Sequence, residues 1–154
     1  MRITVMSDSH RNKRNLFDIV ETHMKDTDLF IFLGDGEDDI EDVTALYPVL
    51  KIELVAGNCD WYSAKPLYKE INFAGKKIFF THGHPFYVKH GYEALIKEAE
   101  NRRADIVLFG HTHTQYTEYR KGLAIMNPGS AADGNYGMID IVGDQIALLP
   151  CHLK

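Results

Sequence analysis

Leu29-Phe30-Ile31-Phe32-Leu33-Gly34-Asp35-Gly36 is a run of five apolar residues that stops abruptly at glycine and aspartate. A strand with one face in water alternates apolar and polar residues, whereas an unbroken apolar run of this length is a strand covered on both faces, as in parallel sheets under helices. The flanking sequence agrees. Upstream, Ile3 to Met6 reads as a strand ending in Ser7-Asp8-Ser9-His10, after which Leu16, Ile19, Val20 and Met24 recur at helical spacing to about Lys25. Downstream, Ile40, Val43 and Tyr47 form a helical stripe closed by Pro48, with Glu37, Asp38 and Asp39 in the first turn, where carboxylates complement the helix dipole. Ile52 to Ala56 is a third strand, ending at Gly57-Asn58-Cys59-Asp60. This β-α-β-α-β order implies parallel strands joined by right-handed crossovers. Ligands of such sheets sit beyond the carboxyl ends of the strands, where all three polar clusters fall.

Beyond an irregular aromatic stretch, Trp61 to Tyr68, the rhythm changes. Lys69 to Phe73 and Lys77 to Phe80 read as a hairpin about Ala74-Gly75-Lys76 that ends in Thr81-His82-Gly83-His84. A helix with Tyr92, Leu95, Ile96 and Ala99 on one face leads into Ile106-Val107-Leu108-Phe109, which stops at Gly110-His111-Thr112-His113. The remainder is all strand: Gln115 to Tyr119, Leu123 to Asn127, Tyr136 to Val142 and Ile146 to Leu149, separated by Lys121-Gly122, Pro128-Gly129-Ser130 and Gly143-Asp144. About nine or ten strands and three helices exceed what one sheet with helices on both faces needs. The expected fold is α/β, two packed mixed β-sheets flanked by helices in a four-layer αββα sandwich, with residues 1–154 forming a single domain.

Composition excludes several classes. The formal charge of −5, from 22 acidic and 17 basic residues, has the wrong sign for a broad basic face on extended nucleic acid. No apolar run approaches the roughly 18 residues of a membrane span, and the two cysteines, Cys59 and Cys151, are not spaced as a disulfide framework. A cytoplasmic protein is expected. Bound divalent cations would reverse the local field in an acidic cleft, so small phosphorylated substrates stay open.

Gathered together, the strand-end clusters offer Asp8, His10, Asp35, Asn58, His82, His84, His111 and His113. Two histidines at i and i+2 beyond a buried strand face one side, and imidazole is the commonest transition-metal ligand. The set is too large for one tetrahedral zinc. It suits two five- or six-coordinate ions about 3.5 to 4 Å apart, sharing a carboxylate that offsets their repulsion. Cys59 stands alone, without a C-x-x-C partner for a structural zinc.

The ordered motifs Asp8-x-His10, Gly34-Asp35, Gly57-Asn58-Cys59-Asp60, His82-Gly83-His84 and Gly110-His111-Thr112-His113 resemble those of the calcineurin-like metallophosphoesterase superfamily, and within it the small uncapped phosphodiesterase branch. Asn127-Pro128-Gly129-Ser130 is similar to a further signature of that branch. The resemblance implies that Asp8, His10 and His113 hold one metal, that Asn58, His82 and His111 hold a second, and that Asp35 bridges them. It implies hydrolysis of small phosphodiesters by a hydroxide between the ions. Manganese is favoured from the resemblance alone, since imidazole, carboxylate and amide donors also suit Fe, Zn, Ni or Co.

The sequence departs from the superfamily pattern at three places. Cys59 stands where many members place a histidine that protonates the leaving group. A thiol with a pKa near 8.5 is a poor substitute, and the favoured reading is a small side chain packed beside the site. Arg11 replaces the usual glycine after Asp-x-His and is read as exposed at a helix start, with phosphate contact as the alternative. The segment Gly34 to Asp39 lacks the arginine that protein phosphatases carry, which counts against a phosphoprotein monoesterase, while a phosphomonoesterase stays an alternative. His84 is open between supporting a ligand and contacting substrate. His23, His90 and His152 read as structural or solvated. With no room for a large cap, the site should be open and weakly selective for leaving groups. The apolar area of Trp61, Tyr62, Pro66, Leu67 and Tyr68 makes a homo-oligomer interface an expectation beside a folded-back loop. Dinucleotide and P-loop readings fail, because no third glycine follows Gly36 at the required spacing and Asn135 replaces the P-loop lysine. A protein-interaction scaffold, as in the retromer small subunit that shares the fold, is the rival reading, and retention of all seven ligands weighs against it.

Overall fold

A computed structural model describes residues 1–154. Ten strands form two five-stranded mixed sheets. The first contains β1 (Arg2–Met6), β2 (Leu29–Phe32), β3 (Ile52–Leu54), β9 (Asn135–Val142) and β10 (Gln145–His152) in the order β10-β9-β1-β2-β3. Here β1, β2 and β3 are parallel, while β9 runs antiparallel to both β1 and β10. The second contains β4 (Tyr68–Phe73), β5 (Lys76–Thr81), β6 (Ile106–Leu108), β7 (Tyr116–Arg120) and β8 (Leu123–Asn127) in the order β4-β5-β6-β8-β7, with β5, β6 and β8 parallel.

Alternation along the strands divides the apolar residues among three cores, because successive side chains point to opposite faces. Ile3 and Val5 of β1, Leu29 and Ile31 of β2, Ile78 and Phe80 of β5 and Ile106 and Leu108 of β6 meet between the sheets. Phe30 and Phe32, the other face of β2, pack under α1 (Lys13–His23) and α2 (Glu37–Leu46) with Leu16, Ile19, Val20, Ile40 and Val43. Phe79 and Val107 pack under α3 (Glu93–Asn101) with Leu95, Ile96 and Ala99. The layers are therefore helix, sheet, sheet, helix, as expected from strands that are apolar on both faces. Each fully buried Leu, Ile or Phe contributes about 1.5–3 kcal/mol, which fixes the register that aims the strand ends.

Some boundaries differ from the sequence reading. β3 ends at Leu54: the Val55 amide still reaches Phe32 O on β2, but the Ala56 amide turns to Pro66 O, outside the sheet. β10 extends to His152 as a sheet edge, where Pro150 is tolerated. Tyr68 begins β4 rather than ending the aromatic stretch, and Trp61 and Tyr62 are 82% and 99% exposed. No helix is long and apolar enough to cross a membrane.

Candidate metal centre

The parallel strands of both sheets end at the same side of the molecule, and their loops bring the polar clusters together. Asp8 follows β1, Asp35 follows β2, His82 follows β5, and His111 and His113 follow β6. Five of the seven expected donors, Asp8, His10, Asp35, His111 and His113, have φ between 43° and 69°. That left-handed region costs a non-glycine residue about 1–2 kcal/mol, and Asp and His tolerate it better than most. The adjoining glycines are required by space. A Cβ on Gly110 would lie 2.0 Å from Ser7 Oγ, and one on Gly57 would lie 2.0 Å from Asp35 Oδ1.

Asp8 is fully buried and its two oxygens differ. Oδ2 accepts hydrogen bonds from Ser7 Oγ at 2.5 Å and the His111 amide at 3.1 Å. Oδ1 has no hydrogen-bond partner, and it lies 3.1 Å from His113 Nε2, 3.5 Å from His10 Nε2 and 3.8 Å from His82 Nε2. His82, also fully buried, has its tautomer set by the backbone: Nδ1–H donates to Leu33 O at 2.8 Å. Its Nε2 then lies 3.3 Å from Asp35 Oδ2 with no hydrogen-bond partner. His10 Nε2 is 3.8 Å from Asp35 Oδ2 and 3.0 Å from His113 Nε2. Donors held on one ion at about 2.0–2.2 Å are themselves separated by roughly 2.8–3.6 Å, so this spacing is that of atoms sharing a cation.

The charges point the same way. Burial disfavours an ionised Asp35, but the facing His82 and the Cys59 amide, 2.8 Å from Oδ1, hold its carboxyl well below the usual range. Burial likewise opposes a charged His82, and Asp35 and Asp8 overcome it and raise its pKa. Burial, then His82 and Lys89, push His111 down to about 4. Burial and His82 also lower His84. Without metal, the two facing carboxylates favour the protonated form of His82. A divalent cation held there would take the place of a proton and satisfy Asp8 Oδ1 and His82 Nε2. Three donor groups have atoms mutually within 4.8 Å: Asp8-His10-His113, Asp35-His82-His111 and His10-Asp35-Cys59.

These are the motifs of a metal-dependent phosphoesterase, and a family model for the calcineurin-like phosphoesterase superfamily domain matches residues 1–142. The chain belongs to the calcineurin-like phosphoesterase superfamily. It is 32% identical over 131 residues to the probable metallophosphoesterase YsnB of Bacillus subtilis, a match covering 84% of this chain and 75% of that protein. It is 33% identical over 104 residues to phosphodiesterase YfcE of Escherichia coli, covering 58% of this chain and 53%, about half, of YfcE. A predicted phosphoesterase of Streptococcus pneumoniae aligns with a TM-score of 0.84 at 25% identity, covering 98% of this chain and 88% of that one. Vps29 of Entamoeba histolytica, in a structure complexed with zinc, aligns at 0.74 with 21% identity and 99% coverage of each chain, a likeness of fold alone. Membership places the protein among metal-dependent phosphoesterases with a divalent-metal site.

The other expected site residues lie at the margin of the cluster. Asn58 is exposed after β3, and its amide contacts Cys59 Sγ at 3.5 Å. Cys59 lies beside the site as expected, its thiol within 4.8 Å of donor atoms of His10 and Asp35, but it is exposed on the cleft rather than buried, with its amide tied to Asp35. Burial and then Asp35 push its pKa up. His84 is half-buried with its ring 5.5 Å from His82 and 6.1 Å from His111, and its Nδ1 is enclosed without a partner. Arg11 is exposed on the wall of the same cleft, and its amide is held by Asp39.

Several supporting residues escaped the sequence reading. Helix α2 begins after Gly36 with no side-chain cap. Asp60 supplies the acceptors from another loop, taking the amides of Gly36 and Glu37 on Oδ1 and those of Asp35 and Gly57 on Oδ2. Its position at the end of Gly57-Asn58-Cys59-Asp60 and the capless glycine were the available signals. Asp39, read as a dipole partner, is instead buried against Ser9 Oγ and the Arg11 amide. Asn127 donates to Gly110 O and Thr112 Oγ1, and Ser130 donates to Asp8 O, so Asn127-Pro128-Gly129-Ser130 braces two donor loops. His23 and His152 lie elsewhere, on Tyr136 and Asn135, and His90 is exposed.

Proposed function

We propose that the protein, as a single domain over residues 1–154, is a dinuclear metal-dependent phosphodiesterase acting on small diesters in the cytoplasm. The observation that carries this reading is the alternation of two carboxylates with two imidazoles: Asp8 faces His10 and His82, and Asp35 faces the same pair. Such an arrangement serves two adjacent cations. Asp8, His10 and His113 would hold one, His82, His111 and Asn58 the other, and Asp35 would be shared. Manganese is the ion favoured by the resemblance.

Divalent cations bound there lower the pKa of water from 15.7 to about 7 and neutralise charge on the phosphoryl oxygens. The residues of this chain do the rest. Ser7 and the His111 amide fix one oxygen of Asp8 so that the other faces inward, and the Leu33 carbonyl keeps the His82 lone pair on Nε2. Asp60 locks the β2 and β3 loops together, which sets Asp35 and Asn58 relative to each other. A cleft of about 650 Å³ opens from His10 and Asp35 and gives an ester arm room that a monoester has no use for. The Cys59 thiol, with its raised pKa, stays neutral and leaves a departing alcohol without a strong acid.

The test is a substrate panel on chelator-stripped protein reloaded with Mn, Fe, Co, Ni or Zn. Bis(nitrophenyl) phosphate should be cleaved with a higher kcat/KM than nitrophenyl phosphate, and the reverse order would make the protein a phosphomonoesterase. The full-length likeness to Vps29 favours a second reading, a protein-interaction scaffold. Tight metal binding with no turnover of any phosphoester would select it.

A further inference from the structure

We infer that the cleft beside the donor cluster receives a cationic alcohol arm, a primary or quaternary ammonium alcohol esterified to the phosphate. This deepens the phosphodiesterase reading and rests on it. The cleft starts at His10 and Asp35 and runs between the first turn of α2 and the loop from Cys59 to Ser63, so an ester arm on a phosphorus held by the donors would enter it.

Its carboxylates fall into two groups. Asp60 is spent on four backbone amides, Asp39 on Ser9 and the Arg11 amide, and Asp35 on the donor cluster. Glu37, Asp38 and Glu41 also line the cleft and make no side-chain hydrogen bond or ion pair, and Glu37 and Glu41 are one helical turn apart on the same face. Glu37 Oε2 is enclosed with no donor, a costly state that an entering cation or N–H group relieves. The one guanidinium on the wall is that of Arg11, which pairs with none of the three. Asp60 takes the Gly36 and Glu37 amides at the start of α2, so half of the donors of that helix terminus are already satisfied.

A small metal ion does not explain these carboxylates, since none belongs to a three-donor group. A broad organic cation does. Trp61 and Tyr62 form the opposite wall, with rings that no protein group covers, and an aromatic face attracts a cation that sheds part of its water against it. Dispersed negative charge beside exposed rings suits an ammonium group and repels an arm carrying a second phosphate.

The experiment compares two diesters that release the same nitrophenolate, nitrophenyl phosphocholine and its neutral carbon isostere, nitrophenyl 3,3-dimethylbutyl phosphate. Metal-loaded protein should prefer the choline ester by roughly fivefold to tenfold in kcat/KM at low ionic strength. The double variant Glu37→Gln, Glu41→Gln should bring the ratio close to parity, and Trp61→Ala should lower it by a smaller factor. Equal kcat/KM for the two esters in the wild type, or a preference undiminished in the double variant, would overturn the subsite. Cleavage of bis(nitrophenyl) phosphate with neither of the paired esters cleaved would overturn the subsite alone. Cleavage of no diester would overturn the phosphodiesterase reading and the subsite with it.

Discussion

Two histidines are buried in this molecule, and they are buried for different reasons. His23 closes helix α1, its Nε2 2.9 Å from Tyr136 OH and its Nδ1 3.4 Å from Asp26 Oδ1. Its ring lies 5.3 Å from that of Tyr136, among helix and sheet residues that leave no strained backbone near it. His82 follows β5, has one nitrogen tied to the Leu33 carbonyl, and aims the other at two carboxylates that offer it no hydrogen bond. Around it stand donors with left-handed backbones. Burial of a histidine is therefore uninformative by itself. Each ring has one enclosed nitrogen without a hydrogen-bond partner, and what separates the two is what that nitrogen faces: a single half-exposed carboxylate for His23, two buried carboxylates for His82, among donors held at a conformational cost.

The strongest way to break this contrast is to remove the carboxylate that each histidine faces. Asp35→Asn should strip both ions and lower turnover at least roughly a thousandfold, because in the proposed dinuclear centre one shared charge would support both halves. Asp26→Asn should leave turnover within about twofold, since an exposed pair contributes little. Elemental analysis beside the assay checks both, and loss of a single ion in Asp35→Asn would reject the sharing.

Replacing the rings themselves comes next. His82→Ala should lower metal affinity and turnover at least roughly a hundredfold. His23→Ala should spare both and cost about 1–3 kcal/mol in urea unfolding, because Tyr136 OH loses its partner. Equal catalytic loss in the two variants would erase the distinction.

A smaller effect is the pH dependence of the metal-free protein. The His82 pKa is raised, so its contribution to stability is complete below its ordinary value of 6.5 and lost as pH rises through the raised folded value. His111 acts in the opposite sense. With its pKa lowered to about 4, it makes stability fall as pH drops from 6.5 toward that value. Urea unfolding of chelator-treated protein should show a shallower acid slope in His111→Asn and a shallower alkaline fall in His82→Ala. Unchanged slopes in both would mean that the imidazoles do not titrate as the geometry requires.

The smallest change should come at Cys59. Cys59→Ser should alter turnover by no more than a few-fold, because the thiol supplies no proton. Cys59→His should speed alkyl diesters more than nitrophenyl diesters, by at most the roughly 10²- to 10⁴-fold of a general acid. Equal acceleration of both would assign the histidine another role.

Much of this was legible in the sequence, and the reason is local. Leu29 to Leu33 and Ile106 to Phe109 are apolar on both faces, and that alone separates a covered strand from an edge; each then stops at a glycine followed by a donor. The donors that converge are those whose strand ends the pattern located. What stayed hidden depends on contacts distant in sequence. Nothing in Asp60 announces that it caps a helix starting at Glu37, since the partner loop is more than twenty residues away and the signal is only the absence of a cap at Gly36. Asp39 looked like its neighbours Glu37 and Asp38, yet it alone is buried, because only it reaches Ser9. Cys59 was expected to be a buried side chain beside the site from the general habit of free cysteines; it is beside the site but open to the cleft, on a loop tied by its amide to Asp35.

The account stands most directly on the number of ions. Chelator-stripped protein should be titrated with manganese while bound metal and cleavage of bis(nitrophenyl) phosphate are followed together. The expected result is two ions per chain, with turnover absent in the stripped protein and reaching its full value only as the second ion binds. Full turnover at one ion per chain, or in protein free of metal, would contradict it.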